Sequence, residues 1–348
     1  MGILLTKINN FYKTAPHTHT VVAAYSWDVR NDSEMSKKNF IIENITNSNK
    51  WKLPNSINGQ QFIIQNCTTS TIFILDFTDT VIVDECKYCT IILGPIKRRD
   101  CVDCKIIVAC EQFRLRDCKD LEIALYCATC PIIESSKNIK FSCFQLYYDN
   151  IEEHFQQCNL NIWNNLWYKI HDYSPANKSD YPNWNFGETG TILTTSFPPE
   201  IKQFNISTDK RNSFVPLTIG VIHKRIYENC LVVFCDVFSA KSFLKSVILD
   251  KVNVILIKSR QVRLTDRHAE SLFLTSSLIN AVQHSHVIGL HMYGGNAIQI
   301  CTQVIVETSE TSLYYIDNVM VYLFNRYSKS DVINSENEVI YKCTSKLS

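Results

Sequence analysis

Glu85-Cys-Lys-Tyr-Cys-Thr-Ile-Ile-Leu93 and Asp100-Cys-Val-Asp-Cys-Lys-Ile-Ile-Val108 are one motif written twice. An acidic residue and a cysteine mark a bend, and three residues later a second cysteine opens a short aliphatic strand. The pattern continues on both sides with fewer cysteines. Asn66-Cys67 leads into Thr71-Ile-Phe-Ile-Leu75, and Asp117-Cys118 leads into Leu121-Glu-Ile-Ala-Leu125. Thr80-Val-Ile-Val83 supplies a further strand between them. The leading cysteines Cys67, Cys86, Cys101 and Cys118 stand 19, 15 and 17 residues apart. Short β-branched strands at that period predict a β-helix, in which no coil buries its apolar face alone and each stacks on its neighbours.

The chain has 348 residues and a net charge of +1, so it is long enough for a real core and offers no footing for nucleic acid. No apolar run approaches the roughly 18 residues of a membrane-spanning helix. Fifteen cysteines without an export signal read as buried small hydrophobes in a reducing compartment. The pairs Cys86/Cys89, Cys101/Cys104 and Cys127/Cys130 have the spacing of a four-cysteine zinc site. Metal knuckles sit on glycine-rich turns, whereas these pairs run into aliphatic strands, and Cys67 and Cys118 repeat the corner unpaired. An apolar cysteine ladder is therefore expected, with no metal.

The coil after the second motif reads Glu111-Gln-Phe-Arg-Leu-Arg-Asp-Cys118. Side chains alternate across a strand, so Arg114 and Arg116 share one side and Phe113 and Leu115 the other. Arginines held out by a rigid strand are poor nucleophiles. They are suited to stabilising negative charge on another molecule, as an arginine finger does for a small GTPase. At the other end of the chain, Met1-Gly2-Ile3-Leu4-Leu5-Thr6 fits the N-myristoylation pattern with Gly2 as acceptor.

Several motifs occur in order: Tyr25-Ser-Trp-Asp28, Lys52-Leu-Pro-x-x-Ile-x-Gly-Gln-Gln-Phe62, the cysteine-cornered coils, Gln112-Phe-Arg-x-Arg-Asp-Cys118, Pro131-Ile-Ile-Glu-Ser-Ser136 and Phe144-Gln-x-Tyr-Tyr148. In these the chain resembles the tubulin cofactor C-like (C-CAP) family over nearly its whole length. The resemblance implies a right-handed parallel β-helix that activates an Arf-like small GTPase in ciliary and Golgi-to-membrane trafficking. Arg114 then matches the inserted finger. Gln112, Phe113 and Arg116 match its neighbours, and Glu134 matches a glutamate supporting the GTPase interface. Glu111, Gln112, Phe113, Lys97 and Arg98 fall in the stretch that faces the nucleotide. No cofactor belongs to the chain itself, since GTP and magnesium are held by the partner. The expected location is the cytoplasmic face of the plasma membrane, the ciliary base and the cytoplasm. Two departures stand out. Glu111 replaces a family glutamine, which puts a carboxylate beside phosphate and within reach of Arg114. The link from Gly94-Pro-Ile-Lys97 to Arg98-Arg-Asp-Cys101 is about one short strand briefer than the family pattern. The alternatives are an effector or scaffold that binds the GTP-bound GTPase without accelerating it, and a tubulin-folding accessory.

In the second half, Cys230–Cys235, Val252–Ile257 and Val287–Met292 read as strands. Ser239–Lys251 (with Ser239 as cap), Thr265–Val282 and a segment after Gly294-Gly295 read as helices. The alternation predicts an α/β ferredoxin-like domain. Val287-Ile-Gly-Leu-His-Met-Tyr-Gly-Gly-Asn-Ala297 resembles the central strand and turn of a nucleoside diphosphate kinase. No histidine follows His291, so kinase chemistry is excluded. His284 and His286, on one strand face, read as surface histidines. The expected organisation is a lipid-anchored segment 1–20, a β-helix 21–175, a linker 176–228, a kinase-like domain 229–327 and a polar tail 328–348.

Overall fold

The computed structural model describes residues 38–100, 104–174, 182–187, 197–221, 228–250, 253–264, 266, 270, 279, 286–308 and 314–317. The repeats form a parallel β-helix. On one face run β1 (Ile41–Glu43), β3 (Phe62–Gln65), β5 (Thr78–Asp84) and β7 (Ile96–Asp100). A second face carries β2 (Asn49–Lys52), β4 (Thr71–Ile74), β6 (Cys89–Leu93), β8 (Cys104–Cys110), β10 (Lys119–Cys127) and β12 (Lys137–Cys143). All these pairings are parallel. The first face resumes as a separate sheet of β9 (Arg114–Arg116), β11 (Ile132–Glu134) and β13 (His171–Asp172).

The corner signature has a backbone cause. The residue before each of the corner cysteines Cys67, Cys86 and Cys118 lies in the left-handed region: Asn66 at φ 52°, Glu85 at 49° and Asp117 at 55°. Asn and Asp tolerate that conformation best among residues with a side chain. The turn drives the cysteine inward, and its thiol donates to the carbonyl two residues back, Cys67 to Gln65 at 3.3 Å, Cys86 to Asp84 at 3.3 Å and Cys118 to Arg116 at 3.2 Å. Ser136 repeats the corner with a hydroxyl, donating to Glu134 at 2.8 Å after Ser135 at φ 49°. Cys67, Cys86, Cys89, Cys104 and Cys118 are buried among Ile, Val and Leu inside the coils. Burial pushes the Cys67 thiol up, and that of Cys143 to about 11, as fits inert packing groups.

The coils are not equally long. Paired residues are 22 apart at Asn49↔Thr71 and 19 at Thr71↔Thr90, fall to 15 at Cys89↔Cys104, and recover to 17 at Lys105↔Glu122. The coil that carries Lys97 and Arg98 is thus short, and among the described residues β7 and β9 form no ladder.

A second apolar cluster lies outside the coils. Phe73, Ile107, Tyr126 and Phe144 on the second face are covered by helix α1 (Ile151–Gln157) and by the chain through Ile201 and Val215. At one end, Asp76, Tyr148 and His154 are buried together. The Tyr148 hydroxyl lies 2.8 Å from His154 Nδ1, and His154 Nε2 lies 3.4 Å from Asp76 Oδ1. Asp76 Oδ2 accepts the Ile57 and Asn58 amides at 2.6 and 3.0 Å. Only glycine fits at 94, where a Cβ would stand 2.5 Å from the Asp76 carbonyl and 2.8 Å from the Tyr148 hydroxyl.

The expected linker 176–228 is not a free connection where it is described. Strand β14 (Trp184–Phe186) extends the second face by pairing with β12, so the solenoid runs past residue 175. Ile201 and Val215 are buried, the Trp167 indole donates to Thr218 at 2.9 Å, and the Ile219 and Gly220 amides donate to Leu256 and Ile257. Aromatic and aliphatic anchors too sparse to make a period bind this segment to the solenoid.

The C-terminal domain is an antiparallel sheet of β15 (Glu228–Phe234), β16 (Val254–Arg263), β17 (His286–Gly294) and β18 (Tyr314–Asp317) in the order β16-β17-β15-β18. With helices α2 (Val237–Asp250) and α3 (Ala297–Thr308), this is the ferredoxin-like order. Helix α2 starts before the expected Ser239, because Asp236 accepts the Ser239 amide at 2.7 Å and takes the cap. Of the expected helix Thr265–Val282, only Asp266, Glu270 and Ile279 are described, each helical. Trp163, from the solenoid side, is buried in this domain's core. Gln261 bonds Asn161 and Asn164, and Ser259 bonds the Trp163 carbonyl.

Candidate functional site

The site is built on the three-residue strand β9. Phe113 and Leu115 are buried, and Phe113 meets Phe141 edge-on at 6.2 Å. Arg114 and Arg116, on the other side, are half-buried. The core thus grips one side of the strand and presents guanidinium groups on the other.

Register sets their neighbours. Arg114 lies opposite Ile132 and Arg116 opposite Glu134. Arg116 Nε is 3.9 Å from Glu134 Oε2 and 3.7 Å from Asp117 Oδ2, while its Nε and Nη1 are buried without a hydrogen-bond partner. Among the described residues no carboxylate lies within ion-pair reach of Arg114. The expected hold of Glu111 on Arg114 is therefore corrected: both side chains are described, and they form no ion pair. Glu111 and Gln112 are exposed in the turn before β9.

The other expected site residues are placed only in part. Lys97 and Arg98 lie on β7, with Arg98 opposite Thr80, and their side chains fall outside the described residues. Gly2 and His284 also fall outside them. Among the described residues no group of three or more His, Cys, Asp or Glu is arranged to hold a metal, and no helix is long and apolar enough to cross a membrane.

Two residues on this face were not foreseen. His171 pairs with Ile132, and the Tyr173 amide donates to Ile133 at 2.8 Å, so β13 extends the arginine face. Tyr173 is 54% exposed, and its ring lies 6.4 Å from that of His171. No cysteine corner announces this coil, and α1 separates it from β12, which hides it from a periodicity reading. The face offers two guanidinium groups and an aromatic rim.

Residues 59–173 match the family model described as Tubulin binding cofactor C. Protein XRP2 of Danio rerio is 34% identical over 341 residues, which are 90% of this chain and 89% of that protein. Protein XRP2 of Homo sapiens is 35% identical over 297 residues, 81% of this chain and 83% of the relative. Tubulin-specific chaperone C of Mus musculus is 24% identical over 147 residues, 41% of this chain and 43% of the relative. Identity at that level along nine-tenths of both chains, together with the β-helix across the matched domain, means that the chain belongs to the XRP2 family of tubulin cofactor C-domain proteins.

Proposed function

We propose that this protein is a GTPase-activating protein for an Arf-like small GTPase and that Arg114 is the group it contributes. One observation carries the proposal: a half-buried arginine, free of carboxylates among the described residues, stands on a strand whose alternate side chains are locked in the core. A guanidinium held that way costs little reorganisation when it meets phosphate, and its planar fork matches phosphoryl oxygens. GTP and magnesium belong to the partner. The protein performs no covalent step and stabilises the charge that develops as the γ-phosphoryl group is transferred to water. Arg116, braced by Glu134, and the rim residues His171 and Tyr173 contribute to docking.

The same proposal puts the chain on the cytoplasmic face of the plasma membrane and at the ciliary base, with Gly2 acylated. One myristoyl chain binds membranes marginally, so Ile3-Leu4-Leu5 and Lys7 supply a second, weak attachment.

The test is single-turnover GTP hydrolysis by a purified Arf-like GTPase at saturating protein, where acceleration of about 10³-fold or more is expected. A second reading has its own observation. The 15-residue step at Cys89↔Cys104 leaves β9 without a ladder to β7, and a displacement of about 1 Å costs about 10²-fold. Binding to the GTP-bound partner without acceleration would support a scaffold. The similarity to tubulin-specific chaperone C adds an accessory role on tubulin, which pull-down with tubulin dimers tests.

A further inference from the structure

The turn that launches the finger strand is held by one carbonyl. The Glu111 carbonyl accepts the Thr129 amide at 3.0 Å, the Thr129 hydroxyl at 2.8 Å and the Cys127 thiol at 3.5 Å, all from the next coil. In the opposite direction, the Glu111 amide donates to Ile96 of the preceding coil at 3.1 Å. Two residues on, the Phe113 carbonyl accepts the Ile132 amide at 2.9 Å. The Glu111–Gln112 and Phe113–Arg114 peptides are therefore both tied to the next coil.

The hydroxyl at 129 acts differently from the corner hydroxyls Ser70 and Ser136 and, like Ser142 toward Ile123 at 3.4 Å, crosses to the neighbouring coil. Ser70 and Ser136 each donate to a carbonyl two residues back on their own coil, to Thr68 and Glu134, and each accepts an amide of the preceding coil, from Ser48 and Cys118. That is a corner stitch, found at these two turns. Thr129 instead reaches across coils to a carbonyl already paired with its own amide. Elsewhere on this face a backbone bond alone suffices, as from Thr78 to Pro95 at 3.1 Å. The extra donor falls at the coil whose next three residues are Gln112, Phe113 and Arg114.

We propose that Thr129 is a positioning residue for Arg114: its hydroxyl fixes the Glu111–Gln112 peptide and with it the direction in which β9 carries the guanidinium. This rests on the GTPase-activating reading above. The need is local. β9 has only three residues and, among the described residues, a ladder on one edge only, so the turn before it and β11 beside it set its placement. Without the hydroxyl, the carbonyl keeps one amide and a weak thiol donor. The peptide can then rotate and carry Arg114 off line.

The experiment compares wild type, Thr129→Val and Thr129→Ser in single-turnover hydrolysis by a GTP-loaded, magnesium-bound Arf-like GTPase, with affinity measured separately. Valine keeps the shape and removes the donor, whereas serine keeps the donor. Thr129→Val is expected to slow the saturated step about 10–100-fold with the dissociation constant within about threefold, and Thr129→Ser to stay near wild type. Amide hydrogen exchange gives a readout independent of the GTPase: the valine variant exchanges faster at residues 112–116 and unchanged in β12. Wild-type turnover in Thr129→Val, loss confined to affinity, or slowing in Thr129→Ser as severe as in valine would each overturn the assignment. Exchange that rises throughout the solenoid would do so as well, by making Thr129 a plain stability residue. An inert wild type would defeat the GTPase-activating reading, and the positioning role with it, before any variant is compared.

Discussion

At the scale of single residues, the account turns on Arg114 and on what stands beside it. On the proposed reading, in which the guanidinium acts in the transition state rather than in docking, Arg114→Ala should lose about 10³-fold or more of the acceleration while binding is largely kept. Measuring rate and affinity separately decides this, and a variant that still accelerates would take the finger role away from Arg114. Glu111 tests electrostatics alone, since no ion pair joins it to Arg114. If the proposed nucleotide-facing placement holds, replacing it by glutamine should raise the saturated rate about threefold to tenfold by removing a negative charge near phosphate. An unchanged rate would mean that the carboxylate points away from the nucleotide. The inward and outward sides of β9 were legible in the sequence because alternation is a local rule. The pairing of Arg116 with Glu134 and the absence of a bond from Glu111 to Arg114 were not, since both depend on register between coils.

At the scale of elements, the coils were legible because their corners are chemically marked. A left-handed residue followed by an inward cysteine recurs at Asn66-Cys67, Glu85-Cys86 and Asp117-Cys118. The coil of His171 and Asp172 lacks that mark and was missed. The pin that fastens the loop 53–60 to α1 was also invisible, since Asp76, Tyr148 and His154 are scattered in sequence. It makes a prediction about acid. Burial holds the His154 imidazole below its ordinary value, against the opposing pull of Asp76 and Glu153. The unfolded chain takes up this proton near pH 6.5, whereas the folded chain takes it up only at lower pH. Stability carried by neutral His154 is therefore present above pH 6.5 and is lost as pH falls below it. Denaturant unfolding of wild type should weaken as pH falls below 6.5, and His154→Gln should flatten that slope. Asp209, held down to about 2 by its hydrogen bonds to Arg211, acts only at much lower pH and does not confuse the comparison. Parallel slopes in the two proteins would show that His154 does not carry the effect.

At the scale of the whole molecule, the two halves are joined by more than a tether. Trp163 enters the C-terminal core, Gln261 binds Asn161 and Asn164, and the Ile219–Gly220 backbone borders β16. Trp163→Ala should cost about 3–5 kcal/mol and unsettle the C-terminal sheet, seen as earlier denaturant unfolding of that half. A loss confined to the solenoid would contradict this docking. The strands β15 and β17 were legible because strand and helix periods alternate after residue 230. The packed segment before it was not, because Ile201, Val215 and Thr218 make their contacts singly and leave no period. The proposed role of Arg114 is what this scaffold would serve. The most direct measurement is single-turnover GTP hydrolysis by a purified Arf-like GTPase at saturating protein, with Arg114→Ala alongside. The account predicts acceleration of about 10³-fold or more by wild type and its loss in the variant. Tight binding of wild type to the GTP-bound partner with no acceleration would contradict it.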